Sequence, residues 1–226
     1  MVASEDDCPA PDEPDEPTTG PEESDMTNDS GPATPEQPEE TTAPISIDEE
    51  VEAMISEAED RVNSFSYVLA RPGTTERLNT YRVRGDRAVI ELERLPDFKI
   101  SQPFSHVYVD LADDEATGYC AAESTIWCPD GVTEHDADYD DYYMRTPYQW
   151  LTSLQTATVK GNGPQLQKRS TQEVTFTTTD GTSGTMYVLD YYNLPAKVEL
   201  EDGRVFEYRE ISINSVSEED VTPPSV

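Results

Sequence analysis

Four turn-forming pairs, Gly85-Asp86, Asp113-Asp114, Asp180-Gly181 and Asp202-Gly203, cut the stretch between residues 65 and 213 into short runs in which apolar and polar residues alternate. Runs of that period bury one side only as strands, and strands so close in sequence pair with their neighbours as an antiparallel meander. The pattern predicts strands at 65–70, 78–84, 88–93, 105–111, 117–122, 165–178, 185–191, 197–201 and 205–213. Two helices interrupt them. Ser46-Ile47-Asp48-Glu49 reads as a capping box, and Ile47, Val51, Met54, Ile55, Ala58 and Val62 follow at helical spacing. Thr146-Pro147-Tyr148-Gln149 is a second helix start, with Trp150, Leu151 and Leu154 on its apolar side. So many strands with only two helices must curl to bury their apolar face. The expected fold class is α+β: a strongly curved antiparallel sheet, a half-barrel, with helices covering the concave face.

The charge draws the domain map. Of 226 residues, 48 are Asp or Glu and 15 are Lys or Arg, a formal charge of -33. Residues 1–44 hold fourteen of the acids, none of the bases and nine of the eighteen prolines. A segment so acidic and so poor in large apolar residues cannot offset its ordering entropy, so residues 1–44 are expected to form a disordered tether. Residues 45–216 form the folded domain, and 217–226 a loose C-terminal tail. A charge this large excludes nucleic acid and anionic membranes as electrostatic partners, because each approach to a phosphate is repulsive. It also strains the compact state by self-repulsion, which salt screens over roughly 3 Å at 1 M. With four lysines against eleven arginines, the composition reads as that of a protein from a salt-loving organism, the alternative being an acidic surface protein from an ordinary one.

The compartment is read from cysteines. Cys120 and Cys128 enclose seven residues, and a disulfide closing that loop stabilises by roughly 2 to 3 kcal/mol through loop entropy. The rival reading, a metal site, suits two isolated thiols poorly. The disulfide implies an extracytoplasmic place, at the cell surface or secreted. No window of about 20 apolar residues is present to span a membrane. Residues 1–7 lack the basic start and apolar stretch of a secretory signal, so the expectation is that a signal has been removed or left off. Cys8, preceded by Ser4-Glu5-Asp6-Asp7, reads either as a lipidated anchor or as a stray thiol. Asn28-Asp29-Ser30 is a glycosylation sequon in the same tether.

The stretch from Asn193 through Leu194-Pro195-Ala196-Lys197-Val198-Glu199-Leu200, then Asp202-Gly203, Phe206, Tyr208, Asn214 and a close at 220–224, resembles the C-terminal hairpin and tail of the LolA-like family, the outer-membrane lipoprotein carriers. The likeness spans about residues 46–224. It departs at Val221, where family members commonly carry an aromatic, and at the cysteine pair. The resemblance implies a half-barrel that holds acyl chains between sheet and helices, with no cofactor and no catalysis. Buried methylenes contribute about 0.8 kcal/mol each. Cavity-lining candidates are Met54, Ile55, Phe65, Trp150, Leu154 and Met186, each of which equally suits an ordinary core. Two functions stand side by side: a monomeric binder of a lipid or other apolar ligand, and a surface-tethered module with a filled core that engages a protein partner.

Enzyme signatures are missing from the sequence. It has two histidines, His106 and His135, and no Gly-x-Ser-x-Gly, phosphate loop or His-Glu-x-x-His. Asp136, Asp138 and Asp140 alternate as in the opening of a calcium loop. Asp141 then stands where that loop needs glycine, and Pro147 where it needs glutamate. The expectation is a solvated acidic loop and no metal.

Overall fold

The computed structural model describes residues 46–92, 104–120 and 132–225. The tether, Cys8, the sequon at Asn28 and Cys128 lie outside the described residues. Among the described residues twelve strands form one mixed, open sheet, built from an edge strand and two meanders. The edge strand is β1 (Ser46–Ile47). The first meander is β2 (Ser64–Ala70), β3 (Arg77–Arg84), β4 (Arg87–Leu92), β5 (His106–Asp110), β6 (Glu115–Cys120) and β7 (Thr133–Asp136). The second is β8 (Leu154–Asn162), β9 (Thr171–Thr178), β10 (Ser183–Leu189), β11 (Pro195–Leu200) and β12 (Val205–Ile213). Across the sheet the order is β1-β8-β9-β10-β11-β12-β2-β3-β4-β5-β6-β7. The meanders join where β12 lies antiparallel to β2, with Tyr208 opposite Leu69 and Ile213 opposite Phe65.

The departure from a purely antiparallel sheet is at the N-terminal edge. Ser46–Ile47, expected as a helix cap, is strand β1 and pairs parallel with β8. No capping box forms. Asp48 is the N-cap of α1 (Glu49–Arg61) without a side-chain cap bond. Its carboxylate accepts instead from the Val159 N–H at 3.2 Å, while its own N–H donates to Ala157 O. Pairing with an edge strand satisfies more backbone groups than a cap would. The predicted stripe survives, with Val51, Met54 and Ala58 buried.

At the second helix the capping box is present: Thr146 Oγ1 accepts from Gln149 N, and the Gln149 side chain accepts from Thr146 N. The single turn α2 (Tyr139–Tyr142) precedes this helix, α3 (Pro147–Thr152), which is shorter than the sequence pattern suggests. Leu154, assigned to its apolar side, begins β8. The run 154–162 alternates too imperfectly to reveal a strand, and its register shifts at both ends. A single apolar cluster unites Met54, Trp150 and Leu151 with Tyr67, Tyr81, Ile90, Val174, Met186, Val198 and Tyr208, so α1 and α3 pack on the same sheet face.

The opposite face carries a second, smaller cluster. Val216 and Val221 cover Val89, with Tyr108 against them. Glu218 reaches Arg84 at 3.3 Å and Arg87 at 3.0 Å. The first part of the segment expected as a loose tail is therefore docked, and Val221 is buried. Two valines suffice because Val89 and Tyr108 face outward and would otherwise meet water.

Gly184 is a position where a side chain has no room: a Cβ there would lie 2.2 Å from the Glu199 carbonyl oxygen. It sits between Phe176 and Leu200 in adjacent strands. Gly184→Ala is expected to lower stability by about 1–3 kcal/mol through forced backbone displacement. Urea unfolding followed by circular dichroism measures it, and an unchanged midpoint would contradict the close approach.

Candidate functional site

The site begins with the capped start of α3, which fixes Trp150 against the sheet. Its ring is buried, tilted on Phe206 at 5.5 Å and edge-on to Phe176 at 5.7 Å. Burying an indole strands its N–H unless a partner is supplied. Trp150 Nε1 donates to Tyr208 Oη at 2.7 Å, and Tyr208 Oη donates to Arg145 O at 2.8 Å. The chain of bonds ties α3 to β12 and to the segment before the helix. Burial pushes the Tyr208 phenol far above its ordinary range, so the hydroxyl stays protonated and can donate.

Arg145 completes the arrangement. Its guanidinium lies 4.6 Å from the Trp150 ring centre, a cation–π contact. Nη2 also meets Asp180 Oδ2 at 2.7 Å. Asp180 Oδ1 accepts from the Thr178 hydroxyl and from Thr182 N. The Thr178 hydroxyl first, and then Arg145, hold the Asp180 carboxyl well below the usual carboxylate range. Arg204, paired with Asp202, stands at the neighbouring turn. Between these groups lies a cavity of about 530 Å³, walled by Met144, Trp150, Leu200, Val205 and Phe206 with Arg145, Arg204 and Asp180 among its polar groups. An apolar wall with a few fixed charges is the usual make-up of a small-ligand site.

Beside it stands a buried tyrosine group. Tyr67 stacks on Tyr81 at 4.9 Å and meets Tyr208 edge-on at 5.2 Å. Tyr81 Oη donates to Tyr142 O at 3.2 Å, and burial pushes its phenol up to about 12. The Tyr67 hydroxyl is buried with no hydrogen-bond partner.

The six residues singled out in the sequence fall in one place. Met54, Phe65, Trp150, Leu154 and Met186 are buried in the main apolar cluster, and Ile55 packs half-buried against it. Trp150 alone among them also borders the cavity at the turn ends. Met144, Leu200, Val205 and Phe206 were not singled out. For Leu200, Val205 and Phe206 the signal lies in the Asp202-Gly203 turn they flank, whereas Met144 precedes the capped start of α3 with no such mark.

Two further cavities are polar: one of about 550 Å³ among Asp114, Asp138 and Tyr139, and one of about 450 Å³ over the threonines of β8 to β10. Asp138 is occupied as the N-cap of α2, accepting from Asp140 N at 3.0 Å. Among the described residues no group of three His, Cys, Asp or Glu is placed to hold a metal. His106 Nδ1 lies 2.8 Å from Ser105 Oγ, and His135 Nε2 lies 2.9 Å from Thr133 Oγ1. Cys120 is buried at the end of β6. No described helix is long and apolar enough to cross a membrane.

No family model matches the chain, and no curated protein matches it. Among solved structures it is similar to MucB, at 17% identity over 78% of this chain and 62% of that one, with a TM-score of 0.39. A similar match is the MucA/MucB complex of Pseudomonas aeruginosa, at 17% identity, 77% and 60% coverage and a TM-score of 0.38. An uncharacterized conserved protein from Thermus thermophilus matches at 10% identity, 78% and 95% coverage and a TM-score of 0.44. The chain spans about three-fifths of the length of MucB. None of these likenesses assigns the chain to a family.

Two outcomes follow from the polar contacts. Tyr208→Phe leaves the buried Trp150 N–H and Arg145 carbonyl without their partner and is expected to cost about 2 kcal/mol in urea unfolding; a loss near zero would show that the bonds are replaceable. Asp180 has a folded-state pKa below its unfolded value, so its contribution is present above the unfolded pKa and lost as pH falls through the folded one. Asp180→Asn should therefore lower the urea midpoint at neutral pH, with the gap to the wild type closing as pH drops below about 4. A gap that is constant with pH would contradict the ion-paired carboxylate.

Proposed function

We propose that this chain is a non-enzymatic extracytoplasmic binding module of LolA-like half-barrel form, which takes the apolar part of a lipid or similar ligand in the cavity beside Trp150. The observation that carries this reading is the cavity itself: five apolar walls around about 530 Å³, with Arg145 held in place by Asp180 and the Trp150 ring. The volume falls within the range of about 300–1,000 Å³ used for small ligands. Apolar side chains occupy the region beneath α1, where Met54, Phe65 and Met186 are each no more than 6% exposed. Binding at the turn ends therefore fits the packing better than binding deep beneath the helix. Arg145 and Arg204 are each already paired with a carboxylate, Asp180 and Asp202, so the reading rests on the apolar walls and not on a charge at the ligand's end.

The outer compartment rests on Cys120 pairing with Cys128. Mass spectrometry of the unreduced protein after proteolysis reads that pairing directly. The strongly acidic domain suits a salt-rich medium, in which screening relieves self-repulsion.

Trp150 is a built-in reporter. In a Trp127→Phe background, titration with a medium-chain fatty acid is expected to shift Trp150 emission saturably, and Phe206→Asp is expected to abolish the shift without loss of fold. No emission change and no co-purified lipid in native mass spectrometry would remove the ligand-binding reading.

A further inference from the structure

Every described Arg and Lys pairs with a carboxylate except Lys160, Lys168 and Arg169. In a chain with a formal charge of -33, a cation without a carboxylate is the exception. These three fall at the end of β8 and in the connection that follows it. Lys168 and Arg169 sit in a two-residue hairpin, in which Leu166 N donates to Arg169 O at 3.0 Å and Arg169 N to Leu166 O at 2.9 Å.

That hairpin is held in an uncommon way. Its two central residues, Gln167 and Lys168, have φ of 51° and 65°, a region that side-chain-bearing residues rarely adopt. The Gln167 carboxamide fixes them: Nε2 donates to Tyr208 O and Oε1 accepts from Glu210 N, both at 2.9 Å. Glu210, also at positive φ (53°), marks a register shift in β12. β11 pairs with β12 only as far as Glu207, so the Gln167 side chain supplies the bonds that a neighbouring strand would have made. Positive φ at side-chain-bearing positions persists where the surroundings impose it, often at binding sites. The Glu210 carboxylate is spent on Arg77 at 2.8 Å, and no carboxylate is drawn to Lys168 or Arg169.

Aromatic groups complete the surface. The Arg169 guanidinium lies 4.6 Å from the Tyr192 ring centre, and Tyr192 meets Tyr191 edge-on at 5.0 Å. Tyr191 is 74% exposed, the one large hydrophobic so exposed among the described residues. Tyr and Arg dominate the energetic centres of protein interfaces. Here both are pre-positioned, which lowers the entropy lost on association.

We infer that the hairpin tip and Tyr191 form a docking surface for an acidic, extended segment of a protein partner. Its carboxylates pair with Lys168 and Arg169, and an apolar side chain beside them covers Tyr191. An anionic membrane offers the same charges but meets the long-range repulsion of the whole acidic chain, whereas a short peptide presents its few charges locally. This surface shares no residue with the Trp150 cavity, so the two readings fail independently.

The test uses the full chain and a fluorescein-labelled peptide of alternating Glu and Leu, followed by anisotropy at about 0.15 M salt. Saturable binding is expected, weakened at least about tenfold by the pair Lys168→Glu and Arg169→Glu and about tenfold by Tyr191→Ala. Gln167→Ala, which unties the hairpin but keeps both cations, should weaken it by a smaller factor; circular dichroism confirms that each variant is folded. The Phe206→Asp variant should bind the peptide as the wild type does. No binding, equal binding of an uncharged peptide of alternating Gln and Leu, or affinity indifferent to these substitutions would overturn the proposal. Binding of phosphatidylglycerol vesicles through the same residues, with none of the peptide, would overturn it in favour of a lipid surface.

Discussion

The pairing of β12 with β2 is the contact on which the rest depends. Each meander is assembled from neighbours in sequence, but β2 and β12 are more than a hundred residues apart, and they alone join the halves into one sheet. Asn214 secures the junction: its N–H donates to Ser64 O, its Oδ1 accepts from Asn63 N, and its Nδ2 donates to Arg61 O. At φ 54° it takes a conformation that asparagine tolerates better than most residues. One side chain thus ties the end of α1, the start of β2 and the end of β12 together.

Joining the meanders creates one apolar face wider than the two helices can cover. α1 lies over β8 and α3 over β11, and α3 ends after six residues. Beyond it, Phe206 and Val205 stay partly exposed, and the cavity opens there. The polar bonds around Trp150 make this margin rigid. An indole N–H, a phenol and a backbone carbonyl are mutually satisfied where water is largely excluded. Arg145 is then held by Asp180 on one side and by the ring on the other, with little conformational freedom left to lose on binding.

Much of this fold was legible in the residues. The turn pairs placed most strands within a residue or two, and the Thr146 to Gln149 signal gave the capped start of α3. The N-terminal box failed because Ser46 and Ile47 had a better use beside β8, a partner more than a hundred positions away. Leu154 failed for a related reason: helical spacing and the start of a strand look alike over four residues. Of the six candidate lining residues five are buried and Ile55 is half-buried, but inward residues fill a core as readily as they line a cavity. Only the neighbours of a side chain decide which. Val216 gave no warning, and Val221 was marked only as a departure from the family's aromatic, since nothing local marks a valine that covers the outer face of distant strands.

By itself the sequence determined the local elements, the acidic surface and the identity of the inward face, because periodicity, turn chemistry and charge act over a few residues. The tertiary structure decided the strand order, the docking of residues 216–221, the place of the Trp150 cavity and the isolation of Lys168 and Arg169 from carboxylates. These depend on which distant groups come within a few ångströms, and short-range packing, hydrogen bonding and ion pairing take their values only at that separation.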